Sequence, residues 1–389
     1  MARLRLGVVS TFPPREDGIA TFTRDLLDAV CHAQSEIEAR IAAITDLGSY
    51  YNYPRQVQWE IEQSDPESYA EGGRTLSRSR AAVVSIQHEF GLFGVWGDPL
   101  QDYTPMLLDA LDKPILTTLH TVLPQPRADI RDAVRRLCAA SAATVVMVNV
   151  GAKILVEDYD VDAARLVMIP HGVPAVPAAD RARVKRALRL QDRTVICTFG
   201  LLSRGKAIEN VIRALPEVVE RYPEVIYLVM GETHPQVRKH EGESYREELI
   251  ALARELGVSK YVRFVNEYLA QNSLVRYLQA TDIYITPYRD RNQITSGTLS
   301  YALGVGCAIV STPYVYASEV LAEGRGLLAE FDNPDSMARC ILLYLDDPTF
   351  RRNTEERARE YGQEMAWPRV GERYADLIHR VAEGKPVAE

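Results

Sequence analysis

The strongest constraint in the sequence is an alternation that runs through it twice. Short runs rich in β-branched residues, LRLGVVS, AAVVSIQ, PILTTLH, ATVVMVN and LVMIP, are separated by longer amphipathic stretches such as ATFTRDLLDAVCHA and RADIRDAVRRLCAA. A strand apolar on both faces, followed by an amphipathic helix, is the signature of a parallel sheet covered on both sides, since the crossover to a parallel neighbour has to pack on a sheet face. The pattern pauses after IPHG, where VPAVPA and a basic stretch interrupt it. It resumes with TVICTFG, VIYLVMG, YVRFVNE, DIYITPY, AIVSTP and GLLAEF, with helical stretches such as AIENVIRALPEVVERYP between them. The expectation is an α/β chain of two doubly wound, Rossmann-like domains, residues 1–172 and 194–365, joined by a linker at 173–193. Ligands of such sheets bind beyond the carboxyl ends of the strands, so tandem domains are expected to face a central cleft.

Composition narrows the classes. The 389 residues are 47% hydrophobic and 25% charged, as in soluble globular proteins, and the net charge of -8 argues against a broad nucleic-acid surface. No apolar run approaches the roughly 18 residues that a spanning helix needs. MARLRLGVVSTF has basic residues before an apolar stretch, but PPRED ends it early, so a first buried strand and a cytoplasmic location are expected. Peripheral membrane contact and oligomeric state stay open. Five cysteines, Cys31, Cys138, Cys197, Cys307 and Cys340, are odd in number and widely spaced, which reads as reduced core thiols without a zinc site.

In the first half, His88 with Glu89, His120, and His171 with Gly172 all fall at strand ends. Each is read either as a capped core residue or as a rim group for a sugar or acceptor. Gly18 precedes a helix, where it either lets a backbone N–H approach a ligand or simply makes a turn. The GLFGVWG loop with Phe90, Phe93 and Trp96 reads equally as an acceptor pocket or as a packed loop.

The second half carries a sharper element. FGLLSRGKAIENV reads as strand, a loop with Ser203, Arg204, Gly205 and Lys206, then helix; two cations beside a helix N-terminus suit a phosphate or diphosphate. Ala207 after Lys206 rules out a Walker loop. VMGETHP places Glu232 on the same rim, and RNQITSGTLS brings Gln293, Thr295, Ser296, Gly297 and Thr298 to a strand-to-helix turn where hydroxyls cap and amides stay free for an anion.

The order of these elements, with IPHG at a hinge, the Lys206 loop, VMG, DIYITPY, ALGVGCAIVSTP and EVLAEGRGLLAEF, resembles the retaining glycosyltransferases of the type B fold (GT-B), the large group 1 family, over nearly the whole chain. The resemblance implies a nucleotide diphosphate sugar as co-substrate and a carbohydrate or other hydroxyl acceptor. It implies no metal cofactor, and a C-terminal helix over 366–389 that crosses back to the first domain. DYDVD at 158–162 contains two D-x-D triplets but reads as a solvated loop. By resemblance Lys206 contacts the donor diphosphate, His120 lies beside the transferred sugar, and the Gly18 loop contacts donor phosphates or acceptor. Leu201 stands where the family usually has arginine, and Arg204 is expected to supply that charge. The family's two glutamates, eight positions apart, align with Gln293 and Tyr301. The leading reading is therefore a retaining hexosyltransferase with Lys206, Arg204 and His120 as catalytic residues. The alternatives are a glycoside phosphorylase of the same fold using inorganic phosphate, which the loss of a carboxylate at Tyr301 suits, and a catalytically silent sugar- or nucleotide-binding protein.

Overall fold

A computed structural model describes residues 3–177 and 179–387. The chain divides into two compact units, one built from the sequence up to Gly172 together with the segment from Met365, the other from Val173 to Glu364.

The first unit holds seven parallel strands: β1 (Leu4–Ser10), β2 (Ile37–Thr45), β3 (Val57–Glu62), β4 (Val83–His88), then, past a small antiparallel hairpin of β5 (Gly94–Val95) and β6 (Gln101–Asp102), β7 (Ile115–Leu119), β8 (Ala143–Val146) and β9 (Leu166–Met168). Their order is β3-β2-β1-β4-β7-β8-β9. β4, β7 and β8 are buried at every residue, which is why their sequences read as continuous apolar runs rather than alternating ones. The helix Gly18–Ala33 starts at Asp17, whose carboxylate accepts the Ala20 N–H at 2.7 Å. It packs on the helix Trp367–Ala382, where Gly371 lets the two backbones meet: a Cβ there would lie 2.6 Å from the Ala29 carbonyl.

The second unit has six parallel strands, β10 (Thr194–Phe199), β11 (Val225–Met230), β12 (Val262–Val265), β13 (Ile283–Thr286), β14 (Ala308–Ser311) and β15 (Leu327–Leu328), in the order β12-β11-β10-β13-β14-β15. Residues 173–193, read as a linker, group with this unit. Within them the helix Arg181–Ala187 is fixed by ion pairs, Lys185 to Asp282 at 2.5 Å and Arg181 to Glu355 at 3.0 Å. Two of the cations in the basic stretch thus answer two buried carboxylates.

Both orders reverse direction once. In the first sheet the chain leaves β1 toward β2 and returns to β4; in the second it leaves β10 toward β11 and returns to β13. Loops after these pairs splay to opposite faces and leave a crevice, the place where open α/β sheets bind ligands. The residues that carry chemistry are to be sought after β1 and β4, and after β10 and β13.

Candidate functional site

After β10 the chain bends at Gly200, φ +130°, and its Leu202 N–H reaches the Glu232 carbonyl at 2.8 Å. Ser203 then opens a single 3-10 turn, Arg204–Lys206, and its carbonyl accepts the Lys206 N–H. Ala207, in the left-handed region at φ +48°, redirects the backbone into the helix Ile208–Arg221. The first N–H of that helix, on Ile208, donates to the Tyr245 hydroxyl at 3.0 Å. One N–H of the helix start expected to face the anion is thus taken by a side chain.

The helix start that does remain open lies after β13. Ser296 caps the helix Gly297–Val305, its hydroxyl accepting the Leu299 N–H at 3.3 Å. Gly297 and Thr298 are the first two helical residues and half-buried, so they carry the unpaired N–H groups and partial positive charge of a helix start. Thr298 does not cap; its hydroxyl bonds the Tyr288 hydroxyl at 2.6 Å and the Ser296 hydroxyl at 3.2 Å. The two loops touch: the Arg289 N–H donates to the Gly205 carbonyl at 3.0 Å, and Gly200 lies beside the Thr298 methyl.

The cations of this edge differ in state. The Arg204 guanidinium is held by Glu248 through two 2.7 Å bonds and by Glu241 at 3.3 Å, so its charge is answered by carboxylates. Lys206 has no such partner among the described residues; its ammonium sits 3.8 Å from the centroid of the Tyr288 ring, and burial lowers its pKa to about 8. Glu232 is tied to Arg238 at 2.9 Å. Gln293 turns its amide to the Thr295 carbonyl at 2.8 Å. Tyr301 is buried, its hydroxyl accepting from the Gln271 side chain at 3.0 Å.

In the first unit the crevice between β1 and β4 is lined by a braced loop. Arg15 pairs with Asp17 at 3.0 Å and Asp46 at 2.9 Å, and the Thr11 hydroxyl donates to Asp17 at 2.9 Å. Gly18 has an ordinary φ, and a Cβ added there would meet nothing within 4 Å, so the space at this helix start is open.

The histidines converge on Phe22, whose ring is edge-on to His120 at 4.9 Å and to His171 at 5.0 Å. His88 stacks on Phe93 at 5.2 Å, and its carbonyl accepts the His120 N–H at 3.0 Å. Burial lowers all three, His88 and His171 to about 4 and His120 to about 3, His120 further by its two histidine neighbours. They are neutral at pH 7, which makes tautomers the decisive question. The Gln87 amide nitrogen donates to Ser85 at 3.2 Å, so its oxygen at 3.0 Å from His120 Nε2 accepts; Nε2 carries the proton and Nδ1 a lone pair. By the same logic His171 Nδ1 donates to the Gly172 carbonyl at 2.8 Å and Nε2 is left as an acceptor. Glu89 accepts from the Thr121 hydroxyl at 2.7 Å and the Phe90 N–H at 3.0 Å, and burial raises its pKa. Gln87, which sets the His120 tautomer, lay hidden inside an apolar run and gave no signal in the sequence.

Residues 180–364 match the family model for glycosyl transferases group 1. That match spans just under half of the chain. Among curated relatives, a D-inositol 3-phosphate glycosyltransferase of Corynebacterium aurimucosum is 27% identical over 67% of this chain and 65% of its own length. A GDP-mannose-dependent monoacylated alpha-(1-6)-phosphatidylinositol monomannoside mannosyltransferase of Corynebacterium glutamicum is 22% identical over 97% of this chain and 98% of its own. Among solved structures, sucrose-phosphate synthase from Thermosynechococcus elongatus superposes with a TM-score of 0.79 at 15% identity, covering 98% of this chain and 100% of that one. Anabaena HepE in complex with UDP and glucose superposes with a TM-score of 0.75 at 13% identity, covering 97% and 99%. The two-unit α/β architecture of parallel sheets is thus that of the GT-B structures. Lys206, Gln293 and the helix start at Gly297 all lie within the residues matched by that family model. Among the described residues no helix is long and apolar enough to cross a membrane.

Proposed function

We propose that the chain transfers a hexosyl group from a nucleotide diphosphate sugar to a hydroxyl acceptor with retention at the anomeric carbon. The observation that carries this is Lys206, a cation without a carboxylate partner among the described residues, set at the switch point of the unit matched by the group 1 family model, beside the open helix start at Gly297. The bond that breaks joins the anomeric carbon to the leaving phosphate oxygen, and charge builds on that phosphate. Lys206 and the amides of Gly297 and Thr298 stabilise it, each such donor contributing about 2.7–4 kcal/mol in a water-poor site. The acceptor oxygen bonds the same carbon, and its proton passes to the departing phosphate oxygen, so no separate base is required. His120 and His171, neutral with one ring nitrogen free to accept, suit sugar hydroxyls as donors to them.

The relatives named for inositol phosphate and phosphatidylinositol mannoside acceptors favour a phosphorylated or lipid-linked polyol acceptor here, and their printed names together with the HepE complex set UDP and GDP as the first donors to try. A second reading, a phosphorylase, is favoured by Tyr301, whose hydroxyl faces Gln271 where the family carries a carboxylate. Thermal-shift titration with UDP, GDP, ADP and phosphate separates them, because a ligand of the native state raises its stability by mass action. Stabilisation by a nucleoside diphosphate that is lost in K206A supports the transferase. Stabilisation by phosphate with no response to any nucleotide replaces it with the phosphorylase.

A further inference from the structure

Four cations lie in the loops after β10 and β13: Arg291 is exposed and lies over the Phe331 ring at 4.1 Å, and of the other three only Lys206 is left without a carboxylate partner among the described residues. Arg204 is taken by Glu241 and Glu248, and Arg289 by Glu209 at 2.8 Å and Asp332 at 2.7 Å. Lys206 has an aromatic face instead, the Tyr288 ring, whose centroid is 3.8 Å from Nζ. That ring is 1% exposed and stacked on Tyr314, with centroids 5.5 Å apart and planes at 16°, so it has no room to swing away. Its hydroxyl reaches in the other direction, to the Thr298 hydroxyl at 2.6 Å, which in turn contacts the Ser296 cap of the helix start.

A carboxylate beside Lys206 would hold it by cancelling its charge and would compete with an incoming anion. A ring quadrupole attracts the ammonium and leaves the whole charge in place. We infer that Tyr288 is the positioning residue of the anion site: its ring holds Lys206 as an uncancelled charge, and its hydroxyl ties that charge to the helix start at Gly297. One side chain thereby sets the spacing between the two halves that grip a nucleoside diphosphate. This rests on the donor reading above and adds a residue to it. Tyr288 also accounts for the phenol at the end of DIYITPY, which packing alone would fill as well with phenylalanine.

The test is calorimetric titration of UDP and GDP into the full chain and into Y288F, Y288L, T298V, the double variant Y288F/T298V and K206A, each with its melting curve. Y288L keeps an apolar filler but loses the π face, and its affinity falls about tenfold. Y288F keeps the ring and recovers most of that, remaining about threefold weaker because Thr298 loses its partner. Y288F/T298V is no weaker than either single variant, since both remove the same bond. In turnover the donor KM rises with these losses while the acceptor KM stays fixed, a split that general loosening of the fold would not give. Y288L binding like the parent while K206A is weakened overturns the role of Tyr288 and leaves the donor reading standing. K206A binding like the parent overturns the donor reading itself. Should Y288L fail to fold, the Y288F and T298V cycle decides, and additive losses sink the inference.

Discussion

Arg204 and Glu248 form a fork, two N–H to oxygen bonds of 2.7 Å each, with the Arg204 guanidinium 5.5 Å from the Tyr245 ring centroid. Two neighbouring cations of one loop therefore have different work. Arg204 clamps the turn to the helix Ser244–Glu255, while Lys206 faces the helix start at Gly297 through Tyr288.

The first prediction follows directly. K206A lowers kcat/KM by about 100- to 1,000-fold, the cost of removing one fixed donor from developing phosphate charge. R204A lowers it by less than about fivefold, because an exposed ion pair contributes little and its loss only loosens the turn. Steady-state kinetics with one donor decide between them. A larger loss in R204A than in K206A would return the phosphate role to Arg204.

The pH dependence of donor binding comes from the same lysine. Burial brings Lys206 to about 8, and an anion can be gripped only by the protonated form. Above about pH 8 the dissociation constant for UDP or GDP rises tenfold per pH unit, as expected for loss of a single proton. Below it the constant is flat. A curve that stays flat to pH 9.5 excludes Lys206 as the binding charge.

In acid the histidines dominate the first unit. Their pKa values are depressed, so the unfolded chain takes up protons first, near its ordinary 6.5, and the native state follows only near 4 to 3. Stability is complete above pH 6.5 and is lost as pH falls through that window, at about 1.4 kcal/mol per pH unit for each histidine. Glu89, raised by burial, works in the opposite sense: its contribution to stability is lost as pH rises. Urea unfolding between pH 7 and pH 5 measures the slope. H88Q, which removes one titrating group stacked on Phe93, reduces it by about one proton; an unchanged slope means His88 is not buried neutral.

Legibility in the sequence followed locality. The strands, their parallel pairing and the two-unit plan could be read because continuous apolar runs and amphipathic crossovers are local patterns. The Lys206 turn and the Gly297 helix start could be placed for the same reason, each being a strand end followed by a helix. What could not be read was which charges are spent. Arg204 and Lys206 look alike in SRGKA, and only the fold brings Glu241 and Glu248, 37 and 44 residues onward, to one of them. Tyr288 and Gln87 were hidden in the same way, each a polar atom on a side chain that otherwise completes an apolar run. The proline-rich stretch reads as a linker because nothing near it in sequence reveals Asp282 and Glu355, the partners that hold its helix.

Two glycines offer a contrast between a backbone that must be glycine and a space that is merely open. Gly231 sits at φ +133°, and a Cβ there would lie 2.1 Å from the Gly200 carbonyl oxygen, so alanine both strains the backbone and drives the loops after β10 and β11 apart. G231A is expected to cost about 3 kcal/mol, combining a disfavoured φ with overpacking, and to weaken UDP or GDP binding by displacing the Lys206 turn. G18A should leave the urea midpoint nearly unchanged, since nothing lies within 4 Å of the added carbon and φ is ordinary. If the helix start at Gly18 receives a substrate group, G18A raises the KM of that substrate without altering stability. Equal effects of the two substitutions on unfolding would contradict the packing described for both sites.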